Sequence, residues 1–233
     1  TFSDGNYTSN PAWTVSNAAD WIVNASGQLQ SNNTTANSTF WISTPSTLAG
    51  SVQWEFWVRF DFASPASSLN FADVYLTASA SDVSLSNTTG YVVRIGNTDR
   101  EVALYRKDGT GVLTKIIDGA NTTVSNGVAM KIKVVRTPSN QWYLFRDASG
   151  TGNNYSIEGT TTDATYTTSN FFGIFVRQST TASFAQRHFF DDIEVKTFVP
   201  DVTAPVITSV TGTSPTTASV LFNEPVDLTT SQL

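Results

Sequence analysis

The sequence predicts an all-β protein built as an antiparallel two-sheet sandwich, and three observations predict it. Apolar and polar residues alternate with period two along most of the chain. Turn residues interrupt that alternation at short intervals. No window of a dozen residues carries apolar spacing i, i+3, i+4, i+7 free of Gly, Pro or β-branched clusters. Many strands joined by short turns, with no helices between them, can bury their apolar faces only sheet against sheet.

The clearest strand is SVQWEFWVRFDF. Val52, Trp54, Phe56, Val58, Phe60 and Phe62 fall on one face, and Gln53, Glu55, Trp57, Arg59 and Asp61 on the other. Further strands are expected in NFADVYLTAS, GYVVRIGN, REVALYRKDG, TKIIDG, VAMKIKVVR, NQWYLFRD, NFFGIFVRQ and RHFFDDIEV. The turns between them read from Lys107-Asp108-Gly109, Ser125-Asn126-Gly127, Pro138-Ser139-Asn140 and the run from Asp147 to Asn154. After Val195 the texture changes. KTFVPDVTAP carries Pro200 and Pro205 without alternation and reads as a linker, followed by two short strands in VITSV and ASVLFNEPV.

Composition narrows the function classes. Hydrophobic residues at 39% and aromatics at 12% supply a sizeable core, and charged residues at 14% fall well below the roughly 25% usual for soluble domains. Thr, Ser and Asn take their place, which suits an extracellular protein. A net charge of −6, with 13 basic against 19 acidic residues, opposes binding to a nucleic-acid backbone. Lys131 and Lys133, the one basic cluster, have strand spacing and read as a solvated strand face. The chain holds no cysteine, so disulfides, thiolate metal sites and cysteine nucleophiles are excluded. No run approaches the ~20 apolar residues of a membrane span. The abrupt, structured-looking opening TFSDGNY reads as a mature start left by signal removal.

Two segments of the chain resemble known families. Phe2-Ser3-Asp4-Gly5, Trp13, Trp21, Gly27-Gln28-Leu29-Gln30 and the closing Phe190-Asp191-Asp192-Ile193-Glu194-Val195 resemble the concanavalin A-like and laminin G-like jelly rolls of secreted bacterial proteins. Asp201-x-Thr203-Ala204-Pro205 with Phe222-Asn223-Glu224-Pro225-Val226-Asp227 resembles the start of bacterial Ig-like repeats, which space modules on long surface proteins. The expected domains are a jelly-roll sandwich at 1–197, a linker at 198–204 and the N-terminal part of a truncated Ig-like domain at 205–233. An Ig-like domain needs about seven strands over roughly 100 residues, so further domains of the same polypeptide are expected after Leu233. The combination resembles N-terminal regions of exported proteins of gliding, polysaccharide-degrading Gram-negative bacteria. It implies a secreted or cell-surface location on the outer face of the cell, with type IX secretion as the implied route.

The jelly-roll resemblance brings glycoside hydrolysis into question, because laminarinase-type glucanases share that fold. Their retaining mechanism needs two carboxylates about 5–5.5 Å apart, supplied by an E-x-D-x-x-E strand that this sequence lacks. Glu55 and Asp61 share a strand face but stand roughly 20 Å apart along it. A lone His188 and the absence of a G-x-S-x-G elbow remove the multi-histidine metal and serine-hydrolase classes. The expectation is a non-catalytic module binding a glycan or cell-surface ligand, with a purely structural spacer as the alternative and a glucanase behind both.

Sugar recognition uses an aromatic platform with polar neighbours. Trp57 is the first candidate, flanked on its face by Glu55 and Arg59, and Tyr105 is the second. For each of the two aromatics the other open reading is packing beneath a loop or against the other domain. Trp13, Trp21, Trp41 and Trp54 are assigned to the core or its margins, and Trp142 and Tyr143 point to opposite faces. The resemblance also implies a structural calcium linking first and last strands, with Asp4 and Asp192 at the matching positions and a carbonyl near Gly27. The alternative is that Asp4 caps a turn and Asp192 meets solvent or backbone.

Overall fold

The computed structural model of the protein describes residues 2–62, 66–125, 127–200 and 203–224. The strands, in chain order, are β1 (Thr14–Val15), β2 (Trp21–Val23), β3 (Leu29–Ser31), β4 (Thr39–Pro45), β5 (Val52–Phe60), β6 (Phe71–Ala78), β7 (Gly90–Gly96) and β8 (Glu101–Lys107). They continue as β9 (Leu113–Ile117), β10 (Ala129–Arg136), β11 (Gln141–Asp147), β12 (Ser156–Thr162), β13 (Phe171–Arg177), β14 (His188–Thr197), β15 (Ile207–Ser214) and β16 (Thr217–Phe222). The helical content among the described residues is two 3-10 turns, Ala18–Asp20 and Ala182–Phe184.

The chain divides into two compact units, Thr1–Phe198 and Val199–Leu233. The first is the expected antiparallel sandwich. One seven-stranded sheet runs β1-β4-β13-β6-β7-β8-β9 and will be called sheet I. The other, sheet II, runs β12-β11-β10-β5-β14-β3-β2. In β5 the alternation appears directly as burial. Val52, Trp54, Phe56, Val58 and Phe60 are buried, and the residues between them are half-buried. The inward faces of both sheets supply the core, with Phe40 and Ile42 from β4, Phe172 and Ile174 from β13, and Ile132 and Val134 from β10. Trp54 and Trp142 stack within it, ring centroids 5.7 Å apart and 8° from parallel.

Five strands were missing from the sequence expectation: β1, β2, β3, β4 and β12. The first three are two or three residues long, too short for periodicity to show. β12 reads SIEGTTT, with no buried residue along it, because it sits at the edge of sheet II. Gly159 is needed there, since a Cβ would lie 2.6 Å from Ile117 Cγ2.

β14 departs from simple alternation. Asp191 pairs with Trp57 and Glu194 with Glu55, so two residues of β14 stand opposite the single Phe56 of β5, one more than regular pairing allows. The bulge falls at Asp192, whose φ is 48°. It turns Ile193 and Val195 inward against the core while Asp191 and Glu194 keep the outer register of β5.

The second unit contains the hairpin β15–β16. Asn223 closes its base, donating its backbone N–H to Val206 O at 3.0 Å and accepting Val206 N–H on Oδ1 at 2.8 Å. Val210, Val220 and Leu221 are exposed on it. Asp201 and Pro225-Val226-Asp227, which carry part of the Ig-like resemblance, lie outside the described residues.

Candidate ligand-binding faces

Each sheet presents one face to the core and one outward, and the sequence-predicted residues divide between the two outward faces. Glu55, Trp57 and Arg59 lie together on the outer face of sheet II, at two-residue steps along β5. Each already has a partner. The Glu55 carboxylate stands 3.4 Å from Lys131 Nζ and accepts from Gln53 Nε2 at 3.3 Å. The Arg59 guanidinium lies 4.3 Å over the Phe189 ring. Trp57 is half-buried, with Gly150 seated so closely that a Cβ there would come 3.1 Å from the indole Nε1.

That glycine belongs to the turn after β11, and Asp147 organises it. One carboxylate oxygen accepts from Ser149 N–H at 2.8 Å and Ser149 Oγ at 2.6 Å. The other accepts from Gly152, Asn153 and Asn154 N–H at 2.7, 3.1 and 3.3 Å and from Thr151 Oγ1 at 3.2 Å. These donors, the Ser149 hydroxyl first, hold the Asp147 carboxyl far below the usual carboxylate range. The outcome for Trp57 is that a rigid loop lies against it.

The proposed metal ligands also have other company. Asp192 Oδ2 is 3.5 Å from Lys131 Nζ, and Asp4 Oδ1 accepts the Asn6 N–H at 3.3 Å. Gly27 does pack against the opening segment, where a Cβ would lie 3.6 Å from Ser3 Cα. Calcium takes roughly six to eight oxygen ligands. Among the described residues no three His, Cys, Asp or Glu side chains gather as a metal cluster. A calcium held by these two carboxylates would need further oxygens, backbone carbonyls included, to complete its shell.

Tyr105 lies on the other sheet, so it cannot share a site with Trp57. It is buried on the outer face of sheet I in a second apolar cluster with Tyr75, Val83, Val92 and Ala103. Burial pushes its hydroxyl pKa up. Part of this face is closed by the loop between β6 and β7. Lys107 pins that loop by donating to Val83 O at 3.1 Å, Leu85 O at 2.8 Å and Tyr75 Oη at 3.2 Å. Burial lowers the Lys107 pKa, and the amine sits in a cage of neutral oxygens.

Beside the closed part, the register brings a second set of residues into one row. Trp41 on β4 pairs with Phe175 on β13, Phe175 with Asp73 on β6, and Asp73 with Arg94 on β7. Phe71 stands in the next row, its ring 6.5 Å from that of Phe175. Asp73 and Arg94 form a two-pronged ion pair, with both contacts at 2.7 Å. The Arg94 guanidinium also lies 4.3 Å over Phe71 and 5.5 Å from the Tyr105 ring centroid. Trp41, Phe71 and Phe175 are half-buried, as Trp57 is, and Trp41 and Phe175 pack against the Tyr75 cluster. The result is an aromatic strip bordered by a fixed charge pair.

The sequence reading placed Trp41 in the core or its margins, and the structure places it at the margin of the second apolar cluster, on the outer face of sheet I. The signal was present in STFWISTP, where Phe40 and Ile42 take the core face and leave Trp41 and Ser43 opposite. The same alternation in FADVYL separates Ala72, Val74 and Leu76 from Phe71, Asp73 and Tyr75.

No family model matches the sequence, and no curated protein matches it. Solved structures do match. The VIP36 exoplasmic/lumenal domain in its Ca2+/Man-bound form is 9% identical with a TM-score of 0.60, over 92% of this chain and 91% of that one. Its Ca2+-bound form is 11% identical with a TM-score of 0.61, over 86% and 89% of the two chains. The metal-free carbohydrate recognition domain of Emp46p is 12% identical with a TM-score of 0.59, over 84% and 93%. At this identity the likeness concerns the fold, and the fold is the concanavalin A-like jelly roll that accommodates calcium in the VIP36 domain.

Proposed function

We propose that residues 1–198 form a non-catalytic glycan-binding module, with the outer face of sheet I as its platform. The observation that carries this reading is the half-buried strip of Trp41, Phe175 and Phe71 beside the Asp73–Arg94 pair, with no loop glycine among the described residues seated on the Trp41 ring as Gly150 is on Trp57. Sugar rings stack their C–H faces on aromatic side chains, and fixed polar groups orient the hydroxyls. The structural neighbours lend support, since the VIP36 domain was solved with mannose-containing ligands. Trp41 replaces Trp57 as the lead residue because Trp57 has a loop against its indole.

One carboxylate pair bears on the enzyme reading. Glu101 and Asp118 converge on Lys115 Nζ at 2.6 and 2.5 Å. The two carboxylates also contact each other, so they do not face one another across the gap of about 5–5.5 Å that a retaining glycosidase needs for its sugar. This favours binding over hydrolysis.

The wider setting belongs to the same proposal. The module serves an exported, multidomain surface protein of a Gram-negative bacterium, and the unit after Phe198 belongs to an Ig-like spacer. The exposed Val210, Val220 and Leu221 of β15–β16 support that, since an isolated two-stranded hairpin is marginal in water. The described residues contain no helix long and apolar enough to cross a membrane.

A glycan array tests the platform. Wild-type protein is expected to bind a defined glycan set. Trp41→Ala is expected to weaken that binding about tenfold, or about 1.4 kcal/mol, while Trp57→Ala leaves it within twofold. Binding is also expected to survive EDTA, because the platform needs no metal. An array on which the wild type binds nothing would favour the spacer reading. Equal losses for the two tryptophan variants would return the site to sheet II.

A further inference from the structure

At one end of the sandwich the two sheets part around a cavity of about 400 Å3. Its existence follows from the β14 bulge and the course of the opening segment. The bulge turns Ile193 and Val195 toward the interior, where they form part of the cavity wall. Phe172 comes in from β13, and the opening segment brings Phe2 and Trp13 across. The three rings pack in sequence beneath it, Phe2 to Trp13 at 5.9 Å and Trp13 to Phe172 at 6.0 Å between centroids, and Trp13, 9% exposed, offers the cavity the most ring surface. The rim carries amides and hydroxyls, notably Asn6, Ser9 and Thr47. Asn6 is held by its oxygen, which accepts from the backbone N–H and hydroxyl of both Thr8 and Ser9 at 3.0–3.2 Å.

Among the described residues, no charged side chain lines this cavity. A carboxylate, ammonium or sulfate group entering it would lose water without gaining a counter-charge. A wholly apolar guest would cover the amide and hydroxyl rim without bonding to it. An aromatic base under a neutral hydrogen-bonding rim suits a guest with one C–H face and a ring of hydroxyls. The volume lies within the roughly 300–1,000 Å3 of small-molecule sites. We propose that this cavity is a second binding site, specific for a single neutral pyranose and separate from the face of sheet I.

The test is an amide and indole NMR titration of the intact chain. The probes are the methyl glycosides of glucose, mannose and galactose, with glucuronate as the charged probe and cyclohexanol as the apolar one. At least one neutral glycoside is expected to shift the Trp13 indole and the Asn6 and Ser9 amides, saturating in the millimolar range. Thr47→Trp, an exposed rim change that fills the mouth, is expected to weaken those shifts tenfold or more and leave array binding intact. Trp41→Ala is expected to do the reverse, which separates failure of this site from failure of the sheet I platform. The proposal is overturned if none of the three glycosides shifts these signals, or if Thr47→Trp leaves the shifts unchanged. It is also overturned if glucuronate or cyclohexanol acts at lower concentration than every neutral glycoside.

Discussion

Arg136→Ala is expected to destabilise the sandwich by about 3–5 kcal/mol, a large share of the ~5–15 kcal/mol that holds most domains folded. Arg136 is fully buried at the end of β10. Its guanidinium donates through Nη1 to Ala49 O and Tyr166 O, both at 2.8 Å. Nε and Nη2 donate to Asn140 Oδ1 at 3.1 and 2.7 Å. The plane rests 4.8 Å from the Trp142 ring and 5.3 Å from that of Tyr91. One side chain thus ties together three segments: the stretch before β5, the β10–β11 turn and the stretch after β12. Alanine would leave two buried carbonyls and an amide oxygen without donors, and a void between two aromatic rings. Arg136→Lys keeps the charge but lacks the flat fork, and is expected to lose about half as much. Urea unfolding of the two variants checks both values. A loss under about 1 kcal/mol for Arg136→Ala would show that the surrounding backbone supplies these bonds itself.

The second large effect is a dependence on acid set by His188. Its imidazole is fully buried between Phe60 and Phe62, 5.0 Å from each ring, and neither nitrogen has a hydrogen-bond partner. Burial pushes its pKa down to about 3. The unfolded chain titrates near 6.5, so between those values unfolding takes up a proton that the folded state refuses. The stability associated with neutral His188 is complete above about pH 6.5 and falls by roughly 1.4 kcal/mol per pH unit below it. The loss accumulates to several kcal/mol as the pH nears 3. Asp163, whose bonds to Tyr91 and the Thr165 amide hold it below its ordinary range despite burial, adds a loss that begins as the pH falls through about 4. His188→Phe is therefore expected to flatten the profile between pH 6.5 and 4 and leave the steeper fall beneath it. Urea midpoints at half-unit pH steps would reveal this. Parallel profiles for the two proteins would remove His188 as the cause.

Much of the fold was legible because one face of nearly every strand is core. In β5, β8, β10 and β11 alternation alone separates inward from outward residues, and the turns after Lys107 and Arg136 carry their own punctuation. What stayed hidden was set by partners distant in sequence. Lys107 looks like a turn lysine in KDG, yet the β6–β7 loop encloses it. Arg136 looks like the polar end of a strand, yet carbonyls from Ala49 and Tyr166 receive it. Trp57 satisfied every local criterion for exposure, and a turn some ninety positions later lies against it. The β14 bulge was invisible because in DDIEV strict alternation would put Asp192 and Glu194 on one face, and nothing local announces the extra residue. Trp41 was readable from its neighbours; what alternation could not tell was that both faces of that strand carry large aromatics, one for the core and one for the outside.

The strand order has a consequence for how the module comes into being. β13 is inserted between β4 and β6, and β14 between β5 and β3, so each sheet has a gap that only the final stretch of the sandwich can fill. Before Phe171–Thr197 emerges, four strands stand with open hydrogen-bonding edges, and their eventual partners are still unmade. Pairings between positions this far apart form slowly, because the loop-closure entropy is lost before the contacts form. The local runs β6–β9 and β10–β12 can pair as they are made, but the sandwich closes only once its last two strands arrive.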